Sequence, residues 1–444
     1  MQGLFRRIPQ ITLAVAFSAL CGSAVAGGRP DLVLSELQES HRLRVPSELL
    51  VQFRPGLAEA VHGDAFARVG GRFLERVSGD LQRISLPAGA DLSAAIRVLH
   101  AHPGVDFAEP NWIYRSDVVS DDTYYTTNRL WGTYGDASPL FQNQYGSQVA
   151  EAWDRGHADC GHTMVAVIDE GAQYKHPDLK HNFWENPAEI PDNGIDDDGN
   201  GFIDDTRGWD FSRDDKSTYD GTQDDHGTHV AGTIGARGGN GKGVAGMCWR
   251  LRMIDVKFLA TRSGSTANAI KSIDYVTDLK IRHKLDLVAI NASWGGGGYS
   301  QGLKKSIEAA GKAGIVFVAA AGNSGLNNDV TPHYPSSYDS PTLISVAAIG
   351  AGGLLAGFSN YGATTVDLGA PGVVINSTVP NGYAAYSGTS MATPHVAGAI
   401  ALYASSHPGL SALELKEAIL STVTPTTSLA GKTLTGGRLN ASSY

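Results

Sequence analysis

The rhythm of apolar and polar positions divides the chain into two stretches of different character. From about 45 to 115 the apolar runs are short and varied. Residues 49–53 form an apolar-rich run closed by Pro55-Gly56, which predicts a strand. Residues 81–86 alternate with period two, the pattern of a strand with one wet face. Residues 92–99 have helical spacing behind Asp91, a candidate N-cap, and a last strand runs through 105–107. This order predicts a small α+β unit with helices on one sheet face. A polar, aspartate-bearing segment follows at 116–127 and reads as an exposed linker. Beyond it the pattern changes. Apolar runs at 164–168, 253–258, 285–290, 315–320 and 343–348 show no alternation, as suits parallel strands buried on both faces. Helical stretches between them suit βαβ crossovers, so the larger unit is predicted to be a three-layer α/β domain with a mostly parallel sheet.

The N-terminus adds a different element. Arg6 and Arg7 precede an apolar stretch at 11–20, and Ala24-Val25-Ala26 is a small-x-small cleavage signal. The stretch falls short of the ~20 residues that span a bilayer, so residues 1–26 read as a signal peptide. Lipidation at Cys21 is disfavoured by the bulky Leu20. With no later segment of 18 uninterrupted apolar residues, the mature chain is expected to be soluble, secreted to the extracellular space or periplasm, and free of the membrane. The net charge of −10, without a long basic run, favours neither nucleic acid nor an anionic membrane as partner. Cys160 and Cys248 are the cysteines left after the leader, and an even pair in an exported chain is expected to be bridged.

In open α/β sheets functional groups gather beyond the carboxyl ends of the strands. The run at 164–168 ends in Asp169-Glu170-Gly171, that at 285–290 in Asn291-Ala292-Ser293-Trp294-Gly295, and that at 315–320 in Ala321-Gly322-Asn323. Two further segments read as loop-to-helix entries, one carrying His226 and the other Ser390 ahead of Pro394, which a first helical turn tolerates. A serine needs a base to become a nucleophile, and histidine supplies one near neutral pH. An aspartate orients the imidazole, and a side-chain amide donates to a developing oxyanion. Zinc is disfavoured for His226 and His229, which lie three apart with Gly-Thr between, so His229 and His395 read as structural.

These segments resemble those of the subtilisin-like serine proteases, and the order Asp, His, Ser along the chain is that of subtilisin. The resemblance covers nearly all of the chain after the leader. It implies a subtilisin-like domain at 116–444 behind a propeptide at 27–115, whose core at about 45–115 is a small α+β, ferredoxin-like prodomain. It implies a serine endopeptidase that hydrolyses protein and peptide substrates through an acyl-enzyme. Ser390 would be the nucleophile, His226 the base and then acid, Asp169 the orienting carboxylate and Asn323 the oxyanion donor. Ser293, Trp294 and Gly295 would pair with the substrate as an added strand. Residues 104–114 resemble the end of the family's inhibitory prodomain, which implies a monomeric, self-processing zymogen cut between about Tyr114 and Tyr124. In the family's sheet the strands beside Cys160 and Cys248 are parallel neighbours, which implies their disulfide. Where the family usually has Ser or Thr, this chain has Glu170. Because consecutive strand residues face opposite ways, its carboxylate is expected to point outward. The walls at 293–297 and 320–324 read as open and glycine-lined, which implies a broad side-chain preference.

One motif stands apart. Residues 192–205 concentrate acids that would repel one another without a cation. Asp196, Asp198, Asn200 and Gly201 match the opening of an EF-hand-type loop, with Phe202 offering its carbonyl and Asp204 and Asp205 as further ligands. Arg207 at the twelfth position excludes a full EF-hand. The expected ion is calcium, since the ligands are hard oxygens. A catalytically dead peptide binder and a calcium-dependent structural protein are the rival readings; loss of a triad residue would favour the first, and none is lost.

Overall fold

The computed structural model describes residues 29–38, 44–113 and 119–444. The leader at 1–26 and the junction at 114–118 lie outside the described residues. The chain divides into two compact units, one reaching to Arg115 and the other beginning at Ser116.

The first unit runs α1 (Pro30–Glu36), β1 (Arg44–Phe53), α2 (Glu59–Ala67), β2 (Arg72–Ser78), β3 (Leu81–Ser85), α3 (Leu92–His100) and β4 (Val105–Trp112). Its strands pair antiparallel in the order β2-β3-β1-β4, so β1 to β4 form a ferredoxin-like βαββαβ unit. Asp91 caps α3, accepting from the backbone N–H groups of Ser93 (2.9 Å) and Ala94 (3.2 Å). Alternate residues Leu49, Val51 and Phe53 of β1 meet Ile84, Ile96, Leu99 and Ala108 in the core. The pattern missed α2 and β2 for physical reasons. The apolar residues of α2 do not gather on one face, and β2 is exposed along its whole length, so neither shows a clear period.

The second unit runs α4 (Thr123–Thr126), α5 (Val149–Asp154), β5 (Asp159–Asp169), α6 (Asp225–Gly235), β6 (Arg250–Lys257), α7 (Thr266–His283), β7 (Leu287–Ala292), α8 (Gln301–Lys312), β8 (Val316–Ala320), β9 (Leu343–Ile349), β10 (Leu368–Pro371), β11 (Ile375–Val379), β12 (Gly382–Tyr386), α9 (Thr389–Ser406), α10 (Ala412–Ser421), β13 (Thr424–Pro425) and β14 (Gly437–Arg438). Among the described residues its main sheet has the order β13-β14-β10-β9-β8-β7-β5-β6 and is parallel from β14 to β6. Two cores flank it. Val165 and Val167 of β5 face one that includes α6 and α9, while Met164, Ala166 and Ile168 face the other, which includes α7 and α8. A strand feeding two cores must be apolar at every position, which is why these runs show no alternation.

The reading of 116–127 as an exposed linker is corrected from residue 120 onward. Ser120, Asp122 and Tyr125 are buried. The Asp122 carboxylate accepts from the backbone N–H groups of Gly239 (2.8 Å) and Asn240 (3.2 Å), and Tyr124 donates its N–H to Gly243 O (2.8 Å). Polar composition predicted solvent, whereas the carboxylate is consumed by a distant loop. Among the described residues no helix is long and apolar enough to cross a membrane.

Candidate active site

Every predicted catalytic residue lies at the carboxyl edge of the parallel sheet or at a helix start beside it. Asp169 is the last residue of β5, which lies between β7 and β6. His226 is in the first turn of α6 and Ser390 in the first turn of α9. Ser293 directly follows β7, and Asn323 stands three residues beyond β8. His226, Ser293, Trp294, Gly295, Asn323 and Ser390 line one cleft of ≈ 880 Å³.

His226 Nδ1 and Asp169 Oδ1 are 2.9 Å apart. Asp169 is fully buried, and the imidazole is partly exposed. With Nδ1 donating to the carboxylate, Nε2 is left as the base. Burial pulls the His226 imidazolium down. The charge and hydrogen bond of Asp169, joined by the charges of Glu170 and Asp225, outweigh that pull and leave it raised. The Ser390 hydroxyl donates to Ser293 O (3.0 Å), and the Ser293 hydroxyl in turn donates to Ser390 O (2.9 Å). Trp294 braces the end of β5, donating Nε1–H to Ile168 O (2.8 Å).

The Asn323 amide has a fixed orientation. Its Oδ1 accepts from the backbone N–H (2.8 Å) and the hydroxyl (3.0 Å) of Thr389, so Nδ2 keeps its hydrogens for another partner. A Cβ built on Gly388 would lie 3.6 Å from both Asn323 Nδ2 and Ser390 N. Two N–H donors therefore border the same small space, the arrangement that stabilises an oxyanion. His229 and His395 take no part. Burial pushes them down to about 3 and about 4, and both bond to backbone carbonyls, of Ile375 and Met391 respectively.

Two features escaped the sequence. Glu170 does not point outward: it is buried, and its Oε1 accepts the backbone N–H of His226 at 2.6 Å. It lies beyond the end of β5, so strand alternation does not govern it. Burial, with the Asp169 charge adding, pushes its carboxyl up to about 7. The glycine-lined walls, read as open, enclose His333. A Cβ on Gly295 would overlap its ring, and one on Gly322 would lie 2.9 Å from its Cδ2. No local pattern marks His333, which reaches the cleft from the loop between β8 and β9.

The acidic loop is arranged differently from its motif. Asp198 and Asp205 converge, and Glu189, outside the predicted set, joins them with ligand oxygens within 4.8 Å of one another. Asn200 donates Nδ2–H to both Asp198 (3.2 Å) and Asp205 (2.8 Å). Asp196 folds onto the N–H groups of Asn200 and Gly201. Asp204 turns aside to Lys216 Nζ (3.0 Å), and the Phe202 ring packs on Trp209, Phe211 and Tyr275. Elsewhere Cys160 and Cys248 are paired, with Cα atoms 5.9 Å apart, inside the range a disulfide needs.

Peptidase S8, the subtilase family, matches residues 161–439, and the fervidolysin N-terminal prodomain matches residues 39–111. A thermophilic serine proteinase from Bacillus sp. (strain AK1) is 32% identical over 94% of this chain and 93% of its own length. Thermitase from Thermoactinomyces vulgaris is 34% identical over 69% of this chain and 98% of its own. The crystal structure of a cold adapted subtilisin-like serine proteinase superposes with a TM-score of 0.53 at 29% identity, covering 71% of this chain and 98% of that one.

Proposed function

The chain belongs to the subtilase family of serine proteases, and from that premise we propose that Asp169, His226 and Ser390 form its catalytic triad in a secreted, self-processing endopeptidase. The observation that carries this reading is the Asp169–His226 bond in the same cleft as Ser390 and the two donors beside Gly388. The Ser390 hydroxyl leaves Ser293 O and gives its proton to His226 Nε2 as Oγ attacks the scissile carbonyl carbon. Asp169 holds the Nδ1–H tautomer and stabilises the imidazolium. The oxyanion takes hydrogen bonds from Asn323 Nδ2 and Ser390 N. The imidazolium then protonates the leaving amine, and water resolves the acyl-enzyme by the reverse path. The backbone at Ser293, Trp294 and Gly295 pairs with the substrate as an added strand, which serves any peptide sequence.

The first unit, with its match to a prodomain, serves as inhibitor and folding aid for the second. Because Ser120 and Asp122 are buried in the second unit, the cut falls between about Tyr114 and Ser120. The N-terminal leader and the paired cysteines support export, and the mature enzyme acts as a monomer. Glu189, Asp198 and Asp205, with Asn200 beside them, hold a structural calcium ion. Glu189 Oε2 is buried without a hydrogen-bond partner, which suits a donor set awaiting a hard cation. The ion would stiffen a loop in a protein that must survive proteolysis, its own included.

The test is labelling with a fluorophosphonate or sulfonyl-fluoride probe. Modification of the matured protein at Ser390, absent in Ser390→Ala together with peptide hydrolysis, is expected. Full activity in purified Ser390→Ala would end the assignment.

A further inference from the structure

Three bonds close a ring around His226. Glu170 donates its backbone N–H to Asp169 Oδ1 (2.8 Å), the same oxygen that faces His226 Nδ1 (2.9 Å). The Glu170 carboxylate returns to the His226 backbone N–H (2.6 Å). The imidazole and the main chain of His226 are thus both tied to consecutive residues at the end of β5.

The helix that carries His226 needs this tie. Asp224, the N-cap residue of α6, makes no capping bond with its side chain. Its carboxylate is taken by Lys257 Nζ (2.6 Å) and by the backbone N–H of Asp220 (2.5 Å). The orphan N–H in the first turn of α6 is satisfied instead by Glu170, from another element. A carboxylate at a helix N-terminus is also favoured by the helix dipole.

We propose that Glu170 is a positioning residue of the catalytic site, which holds the His226 backbone against β5 and adds a negative charge beside the imidazole. This rests on the reading of His226 as the general base. The groups facing Glu170 are Asp169 on β5, Asp225 and His226 on α6, Arg262 after β6 and Tyr386 on β12. Arg262 pairs with Asp225 (3.2 Å), and Tyr386 donates its hydroxyl to the same carboxylate (2.5 Å). Arg262 is therefore engaged with Asp225, and Glu170 retains its influence on His226. Burial, with the Asp169 charge adding, displaces the Glu170 carboxyl upward to about 7, so its charge develops around neutral pH.

Glu170→Gln keeps an oxygen for the His226 N–H and removes the charge. An anion beside an imidazole raises its pKa, so removing the anion lets neutral His226 persist to lower pH. The acid limb of kcat/KM is expected to move down, by less than about one pH unit because the Glu170 carboxyl is itself partly protonated near neutral pH. Glu170→Ala removes the tie as well, and kcat per active site is expected to fall roughly 10- to 100-fold with KM nearly unchanged. Rates are normalised by titration with phenylmethylsulfonyl fluoride, so that misfolded molecules do not count. A Glu170→Gln profile that superposes on the wild type, or wild-type kcat in Glu170→Ala with only a lower melting temperature, would overturn the proposal. If Glu170→Ala fails to mature, Glu170→Gln decides alone. Activity surviving in His226→Ala would overturn the reading of the base instead.

Discussion

The proposed role of Asn323 as oxyanion donor rests on the orientation of its amide. Thr389 occupies Oδ1 with two donors, so the amide cannot rotate without losing both bonds, and Nδ2 stays beside Ser390 N. A donor held in place before the reaction costs no reorganisation when charge develops. Asn323→Ala is expected to lower turnover roughly 100- to 1000-fold with little change in KM, read from steady-state peptide hydrolysis. Wild-type turnover in that variant would remove Asn323 from the site. At this scale the sequence was informative where a residue type has one use and silent where direction matters. Asp169, His226, Ser390 and Asn323, the proposed catalytic residues, stood out because each lies near a glycine at a strand or helix end. The inward turn of Glu170 did not, since nothing in Asp-Glu-Gly tells which way the chain bends after β5.

Elements explain how such residues are held. β6 carries two buried ionisable groups, Asp255 and Lys257, bonded to the segments that flank β5 and α6. Lys257 is neutralised by Asp220 (2.8 Å) and Asp224 (2.6 Å), the latter at the start of α6. Asp255 is fully buried, accepts from the Ala172 N–H through Oδ2, and leaves Oδ1 unpaired. Burial, with the charge of Asp224 adding, pushes its carboxyl up to about 8. The sign of the linkage follows. Between the ordinary carboxylate range and about 8, the folded state keeps a proton that the unfolded state has released, so this group lowers stability as pH rises through that window. Asp255→Asn is neutral throughout and retains an oxygen for Ala172. Its melting temperature is expected to exceed that of the wild type by a margin that grows from pH 5 to about 8. A margin independent of pH would show that Asp255 is ionised in the folded protein. The apolar run of β6 predicted the strand, but the same run gave no sign that its two charged residues would be buried together.

At the scale of the whole molecule, stability and maturation depend on groups far apart in sequence. Calcium bound to the folded state alone stabilises by ~2.7 kcal/mol when present at 100 times its Kd. The inhibitor-blocked enzyme is expected to melt higher in calcium than in chelator, and Glu189→Gln/Asp198→Asn to lose most of that difference. An unchanged response in the double variant would place the ion elsewhere, and no response in the wild type would remove it. The pair Cys160–Cys248 encloses 88 residues of separation, for which the chain-entropy model predicts about 4–5 kcal/mol. Both thiols should therefore be blocked in the unreduced, denatured protein; recovery of both as free thiols would disprove the bridge. Edman sequencing of the mature protein should begin between about Tyr114 and Ser120, and a start at Gly27 would contradict self-processing.

The two-unit organisation of strands and helices, the α/β class of the larger unit and the residue types proposed for the site can be read from the order of amino acids alone. Apolar period and strand-end chemistry are local properties, carried by a few neighbouring residues. Tertiary structure alone decided what converges. Glu189 joins Asp198 and Asp205, Asp204 turns to Lys216, His333 packs against Gly295 and Gly322 in the loops after β7 and β8, and Asp122 anchors a segment that composition assigned to solvent. Each of these is a pairing between residues separated along the chain, chosen by which buried donor or charge lacks a partner once the sheet has formed. That demand is absent from any local window, because a polar side chain reads as solvated until its neighbours in space are known.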